Sequence, residues 1–485
     1  MTPSQKKNSG SYYTPDAAAG SLVRWAVRHP SDRLLDPSCG DGRFLQNHKK
    51  SVGVEQDEAA ARAAHGRAPW ALIHEGDFFS WAANTNERFD CLAGNPPFIR
   101  YQRFSGAVRE GALAYCAKQG ASFSGLTSSW APFLVAAASL LKAGGRMAFV
   151  VPAEVGHAPY ARPLLEYLAS KFEVVSFLAV KRKIFADLSE DVWLLYAEGF
   201  GNQTGEIRLS QADVFDASRP APVDGLRISL AELAQMHWRL RPFLLAREHL
   251  DEYRAASLSP QVKRLSDFAR VSIGYVSGAN DFFHLRPSQA DDLGIGKKWL
   301  RPSVRNGRVL RASQLDRSDI AEWIEQDEPC LLLNIAPSAE IDRALKKYLG
   351  TDQALAVSKA YKCRVRSPWY AVPDVRVPSA FLSYMSGDSP SLAENRARCT
   401  GTNSVHLVDL NDPADMATLR AAWDDPLTQL SWELEGHPLG GGMLKLEPRE
   451  AQRIVIAPDA KRSKRRTQLL QDARTVMQAW RHVGG

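Results

Sequence analysis

Over the first 200 residues, short apolar runs alternate with stretches whose apolar positions return at helical spacing. The runs lie at 33–36, 52–55, 71–74, 90–93, 147–151, 172–177 and 192–196. They read as strands, and the stretches between them as helices. The clearest helix is predicted over 129–142 and closed by Gly144-Gly145, because glycine just past a last turn is a common helix stop. Such alternation predicts a doubly wound α/β sheet. Past Gly201 the pattern loosens, and Ser218-Arg219-Pro220-Ala221-Pro222 reads as a turn-rich connector. Beyond Arg241 strand and helix signals mix, with no fixed-period repeat. A chain of 485 residues exceeds one ordinary core, so a division into 1–240 and 241–485 is expected.

Composition narrows the class. Apolar residues make up 45% and charged residues 24%, the balance of a soluble globular protein. No apolar run approaches the roughly 18 residues of a membrane span. The start, Met1 to Lys7, leads into no apolar signal core, so no secretion is expected. Six cysteines are scattered without a Cys-x-x-Cys pair or a zinc-spaced Cys/His cluster. A reducing cytoplasm and no metal are the expectation. The net charge of +7 suits a polyanionic partner. Residues 241–485 hold 35 Lys and Arg against 30 Asp and Glu. A basic run, 461–466, reads either as a DNA contact or as a solvated helix start.

Four segments carry candidate chemistry. In Leu34-Leu35-Asp36-Pro37-Ser38-Cys39-Gly40-Asp41-Gly42, a strand ends on an acid and a glycine loop follows. Gly40 and Gly42 permit a tight turn and close approach of a ligand. The next strand ends at Glu55, the spacing at which an acid commonly accepts from ribose hydroxyls. Together they point to a nucleoside cofactor, while Asp36-Pro37 departs from the dinucleotide fingerprint. The third strand ends near Asp77-Phe78. There an acid can accept from an adenine amine and a ring can cover a base, or the acid can simply cap a helix.

Gly94-Asn95-Pro96-Pro97-Phe98 follows the fourth strand directly. An exocyclic amine on an aromatic ring is a poor nucleophile because its lone pair is delocalised. Two acceptors aimed at its two N–H bonds draw the nitrogen toward a tetrahedral shape. The Asn95 side-chain oxygen and the Pro96 carbonyl are suited to that role. The two prolines hold the backbone near φ −65° and remove competing donors. Phe98 offers a face for a planar base.

In this order the motifs resemble the gamma class of DNA adenine-N6 methyltransferases. The class has a Rossmann-like, class I S-adenosylmethionine-dependent sheet. The likeness covers about the first 200 residues. Tyr12-Tyr13-Thr14-Pro15 looks like the N-terminal cofactor motif. Asp36-Pro37-Ser38-Cys39-Gly40 resembles the loop for the methionine part, Glu55 the ribose acid, and Asp77-Phe78 the adenine pair. Asn95-Pro96-Pro97-Phe98 resembles the Asn-Pro-Pro-Tyr/Phe catalytic motif, with Asn95 also near the cofactor. The resemblance implies S-adenosyl-L-methionine as cofactor and flipped adenine in double-stranded DNA as substrate. It also implies a role in a restriction-modification system, with a separately encoded endonuclease as a partner.

Phe185 lies where the class carries a second aromatic against the flipped base, or is a core ring before a strand. Arg100 and Arg103, just after the catalytic motif, are candidate phosphate contacts. The C-terminal half resembles the class only loosely. There 274–281 and 440–447 look like segments of a mixed α/β target-recognition domain, with Lys445 a candidate phosphate contact. Their glycines allow close approach to DNA or plain turns. Rival readings are an amino-group methyltransferase acting on RNA or on protein glutamine, a catalytically dead DNA-specificity protein, and a fused restriction–modification enzyme. No nuclease signature is evident for the last.

Overall fold

The computed structural model describes residues 14–185, 191–222, 224–458 and 462–482. The chain forms two compact units, 1–244 and 245–485. No helix among the described residues is long and apolar enough to cross a membrane.

The first unit is built on one nine-stranded sheet. Its strands are β1 (Leu34–Asp36), β2 (Ser51–Glu55), β3 (Leu72–Glu75), β4 (Phe89–Gly94), β5 (Leu141–Pro152), β6 (Val174–Val180), β7 (Val192–Glu198), β8 (Glu206–Ala212) and β9 (Leu226–Ser229). The order is β3-β2-β1-β4-β5-β7-β6-β8-β9. Strands β1 to β5 pair in parallel, and β7 runs antiparallel to both β5 and β6. All three residues of β1 are buried, as a central strand covered on both faces requires. All seven predicted strands are present. The antiparallel β9 and its partner β8 extend the sheet, and 218–222 lies in the connection between them.

The unit also holds helices α1 (Asp16–Ala26), α2 (Glu58–Arg67), α3 (Phe78–Asn84), α4 (Gly106–Lys118), α5 (Trp130–Ala138), α6 (Ala161–Lys171) and α7 (Leu230–Gln235). Helix α1 puts Ala19, Leu22, Val23 and Ala26 into the same apolar cluster as Ala93 and Val150. Alanines 61 and 64 of α2 pack with Cys39 and Leu45 in another. Asp57 and Asp77 cap α2 and α3, accepting from Ala60 N and Ser80 N at 2.8 Å each.

The helix predicted over 129–142 ends instead at Ala138. Leu141 already pairs with Phe89, and a register shift between Phe89 and Cys91 absorbs the residues before Arg146 as a bulge. Gly144, at φ +75°, meets the backbone demand of that bulge, not of a helix cap.

The second unit mixes short strands and helices. Ala269–Ile273, Val405–Leu410, Ala380–Ser383, Leu392–Asn395 and Gln314–Leu315 form a five-stranded sheet. A four-stranded sheet contains His284–Leu285, Leu331–Leu333, Leu300–Val304 and Thr400–Gly401. The segment 274–281 enters the fold by close approach to its own chain: a Cβ on Gly274 would lie 2.2 Å from the carbonyl oxygens of Gly401 and Thr402. Next to it, Tyr275 Oη lies 2.6 Å from His284 Nε2 and 2.5 Å from Ser303 Oγ. His284 Nδ1 donates to the Asn280 carbonyl at 2.9 Å.

Burial holds His284 neutral and pulls its pKa down to about 4. Its ordinary value is near 6.5, so the unfolded chain binds the extra proton first. The associated stability is present above pH 6.5 and is lost as pH falls from there through 4. About 3 kcal/mol is at stake at 1.36 kcal/mol per pK unit. Urea midpoints of the wild type are expected to fall between pH 7 and pH 5. His284→Gln should show a flatter dependence, and an equally steep fall in that variant rejects the assignment.

Candidate active site

Strand order reverses between β1 and β4, and open α/β sheets hold ligands at the carboxyl ends of strands at such a point. Here a cavity of about 160 Å³ opens, lined by Thr14, Ser38, Gly40, Glu55, Asp77 and Asn95 among others.

Strand β1 ends on Asp36, which has no solvent exposure. Its Oδ1 accepts from Ser38 N at 3.2 Å, whereas Oδ2 is buried without a hydrogen-bond partner. Burial raises its pKa well above the carboxylate range, with the charges of Glu55 and Asp41 adding to the rise and the Ser38 N–H opposing it. Thr14 is buried with its Oγ1 likewise unpartnered among the described residues, while its carbonyl accepts from Arg43 Nη1 at 3.1 Å.

The loop after β1 is tied to the end of β2. Gly40 N donates to Glu55 Oε2 at 2.9 Å, Asp57 N to Oε1 at 2.8 Å, and Cys39 N to the Val54 carbonyl at 3.0 Å. Gly42 sits at φ +84°, and a Cβ there would lie 2.9 Å from Ala64 Cα, so the loop can pass α2 only with glycine. Burial pushes the Cys39 thiol up, which makes it a poor nucleophile. Asp77 serves as the N-cap of α3, with Oδ1 accepting from both Ser80 N and Ser80 Oγ. Phe78 is buried, its ring centroid 4.5 Å from that of Phe133.

Strand β4 ends at Gly94, where a Cβ would lie 2.7 Å from Asp36 Oδ1. The two strand ends are joined when Ser38 Oγ donates to the Asn95 carbonyl at 3.0 Å. Ser129, just ahead of α5, grips the segment that follows. Its Oγ donates to the Pro97 carbonyl at 2.5 Å and accepts from Ile99 N at 3.0 Å, while its own N–H donates to the Ile99 carbonyl at 2.9 Å. The Pro97 carbonyl is thereby occupied. The Pro96 carbonyl accepts no hydrogen bond among the described residues.

The structure thus brings Thr14, Ser38, Cys39, Gly40, Glu55, Asp77, Phe78, Asn95 and Pro97 to one cavity wall, with Asp36 at the strand end beneath. Pro96 and Phe98 adjoin that lining. Phe98 is half-buried against the apolar cluster that contains Phe185, whose own ring is buried at 7% exposure. Arg100 and Arg103 are exposed beyond the motif. Lys445 lies in the second unit, in the strand Met443–Lys445. Its Nζ is 2.5 Å from Glu447 Oε1 and 5.3 Å from the Tyr384 ring centroid. Tyr12 and Tyr13 lie outside the described residues.

Sequence reasoning missed Ser129, Phe79, Phe104 and Phe133, which also line the cavity. Phe79 and Phe104 adjoin residues already singled out, whereas Ser129 and Phe133 lie in the helical stretch expected over 129–142, distant in sequence from the catalytic motif. Chemically, the site combines a buried carboxyl at its floor, a glycine loop, an acid at the end of β2, and two carbonyl-type acceptors at the end of β4.

Comparison with known proteins agrees with this architecture. Residues 238–482 match the family "Type II methyltransferase M.Eco57I, C-terminal domain", and residues 45–185 match "Eco57I restriction-modification methylase". The type II methyltransferase M.AccI of Acinetobacter calcoaceticus is 18% identical over 93% of this chain and 86% of its own length. A tRNA1(Val) (adenine(37)-N6)-methyltransferase of Actinobacillus succinogenes is 30% identical, over 36% of this chain and 77% of its own. The type IIL restriction-modification enzyme MmeI, solved in complex with DNA, shares the fold at a TM-score of 0.55 and 11% identity. That match covers 98% of this chain and 72% of MmeI. With half of its length matched by the C-terminal family and residues 45–185, which hold β2 to β6, by the methylase family, the chain belongs to the Eco57I family of type II restriction-modification methyltransferases.

Proposed function

We propose that this enzyme methylates the exocyclic N6 of a flipped-out adenine in double-stranded DNA, as the modification part of a restriction-modification system. Residues 1–240 would bind cofactor and carry out the chemistry, and residues 241–485 would read the target. The observation that carries the reading is Asn95-Pro96-Pro97-Phe98 at the end of β4, beside the cavity at the strand-order switch. Support for adenine N6 comes from the tRNA1(Val) (adenine(37)-N6)-methyltransferase, which is named for that atom. Support for DNA comes from the match of residues 238–482 to the C-terminal domain of a type II methyltransferase. A separately encoded endonuclease of the same specificity would be the biological partner.

The cofactor is S-adenosyl-L-methionine, which supplies a methyl group activated by a positively charged sulfur. The residues present fit it. Asp36 and Thr14 offer buried oxygens without partners in a pocket of negative character, suited to a cationic ligand. The loop at Ser38, Cys39 and Gly40 would line the methionine part, Glu55 would accept from ribose hydroxyls, and Asp77 and Phe78 would flank the adenine.

Asn95 Oδ1 and the Pro96 carbonyl would accept the two N–H bonds of the substrate amine and turn its lone pair toward the methyl group. Phe98 would stack on the flipped base, worth roughly 1–3 kcal/mol against the cost of unstacking. Phe185 would back that ring from the core. Positioning of this kind supplies most of the rate in a direct displacement.

Tritiated S-adenosylmethionine with genomic DNA free of adenine methylation tests the reading. Label is expected in N6-methyladenosine after nucleoside digestion. Label confined to RNA or to protein glutamine would reject the DNA assignment, and absence of label with DNA binding retained would point to an inactive specificity protein. Cofactor binding carries a further expectation. The Asp36 carboxyl must ionise to balance the cofactor's positive charge. Affinity should therefore weaken as pH falls through its raised pKa, by up to about tenfold per pH unit. Calorimetry between pH 8 and pH 5 reads this, and Asp36→Asn should bind weakly with little pH dependence.

A further inference from the structure

The basic character of the second unit is concentrated. Residues 297–301 and 343–366 carry ten cations against one carboxylate, Asp352. The remainder of 241–485 has 25 cations against 29 carboxylates, so these stretches account for more than the whole positive balance. Both pack onto one apolar cluster, through Trp299, Leu300, Leu345, Tyr348, Ala354 and Cys363. They are joined where Trp299 Nε1 donates to Asp342 Oδ2 at 2.7 Å. The helices Arg343–Leu349, Asp352–Ser358 and Tyr361–Arg364 follow one another across this core.

Few of these cations are paired, whereas elsewhere in the unit several arginines are held by carboxylates: Arg376 by Asp409, Arg420 by Glu394, Arg453 by Glu435, Arg462 by Asp425 and Arg474 by Asp388. Among the described residues, only Lys298 of the ten forms an ion pair, with Asp342 at 3.6 Å. Arg343, Lys346, Lys347, Lys362 and Arg364 are exposed and have none. Between them stand exposed apolar side chains, Leu355 at 55%, Tyr361 at 64% and Val365 at 64% exposure. The Tyr361 ring is flanked by Lys362 Nζ at 5.8 Å and Arg364 Cζ at 5.5 Å from its centroid.

Like charges kept together without carboxylates repel, a cost that a polyanion offsets. An exposed ring between two cations adds a surface that packs on sugar or base. Basic side chains on a run of short helices, with an aromatic among them, match a phosphate backbone at one charge per roughly 1.7 Å of duplex.

We propose that the outward side chains of 343–366, together with Arg301, form the surface that tracks the phosphate backbone of duplex DNA, with Tyr361 packing on the contacted strand. This rests on the reading of duplex DNA as substrate. The 461–466 run is a weaker candidate. Its Arg462 and Arg466 are spent on Asp425 and Glu252, Ser463 caps the helix Lys464–Trp480, and Lys461 lies outside the described residues.

The test is titration of the full chain with a fluorescein-labelled mixed-sequence DNA duplex over a series of KCl concentrations. The combined variant Lys346→Ala, Lys347→Ala, Lys362→Ala, Arg364→Ala is expected to bind at least about tenfold more weakly. Its slope of log affinity against log salt should be shallower by about 3 to 4, at 0.9 per phosphate contact. Lys464→Ala, Arg465→Ala should keep the wild-type slope. Tyr361→Ala should lose affinity with the slope unchanged. A wild-type slope in the fourfold variant, or an equal loss in the Lys464 and Arg465 control, overturns the surface assignment while leaving DNA methylation intact. Failure of the wild type to bind duplex DNA, or binding of duplex RNA alone, overturns the substrate reading and this inference with it.

Discussion

Asn95→Ala is expected to lower methyl transfer by about a hundred- to a thousandfold, the usual effect of deleting one preorganised polar group aimed at the reacting atom. The amide oxygen is one of two acceptors proposed to bend the substrate amine out of its conjugated plane. The other, the Pro96 carbonyl, remains in the variant. Ser129 still grips Pro97 and Ile99, so the truncation removes an interaction without releasing the loop. Ser38 Oγ bonds to the Asn95 backbone, which alanine retains. Cofactor affinity should therefore move much less than the rate. Single-turnover transfer on DNA and calorimetry with S-adenosylmethionine separate the two quantities. A variant that retains most of the wild-type rate would refute the role assigned to Asn95. A loss confined to cofactor affinity would do the same.

The largest effect on stability is expected at Arg481. This guanidinium and the Glu433 carboxylate have no solvent exposure and are joined through two bonds, Nε to Oε2 at 2.9 Å and Nη2 to Oε1 at 2.7 Å. The remaining donors serve backbone carbonyls: Nη1 those of Gly387 and Gly442, and Nη2 that of Asp388 at 2.6 Å. One side chain near the end of the helix Lys464–Trp480 thus holds the glycine-rich 440–442 loop and the turn at 387–388 against the helix Pro426–Glu435. Arg481→Met takes the Arg481 cation from a buried carboxylate and removes its donors from the three carbonyls. Removing one partner of such a pair costs about 3–5 kcal/mol. Urea denaturation followed in the second unit should show that loss, and replacing Glu433 by leucine in the same chain should recover part of it. A loss under about 1 kcal/mol would assign the pair no structural weight.

Both expectations depend on features of different legibility. The sheet could be read from the chain because parallel strands buried on both faces are near-continuous apolar runs, and the first five strands are punctuated by glycine, proline or an acid at their carboxyl ends. The same punctuation exposed the site. Asp36, Glu55, Asp77 and Asn95 each end or directly follow a strand, and strand ends at an order switch share one edge. The helix over 129–142 misled because a double glycine means the same φ requirement in a helix cap and in a bulge. Only the pairing of Leu141 with Phe89 chose between them.

The chain by itself determined local geometry and the residue types at the strand ends, because these depend on backbone preference and on periodicity within a few positions. Tertiary structure decided everything that rests on residues far apart in sequence. It brought Ser129 to Pro97, Arg481 to Glu433 and Ser303 to Tyr275, pairs whose chemistry is generic until the fold sets their distance. It also decided which cations are spent. An arginine reads the same whether a carboxylate waits across the fold or not. Which of the charges near 343–366 are paired is therefore known only once the fold has placed the carboxylates.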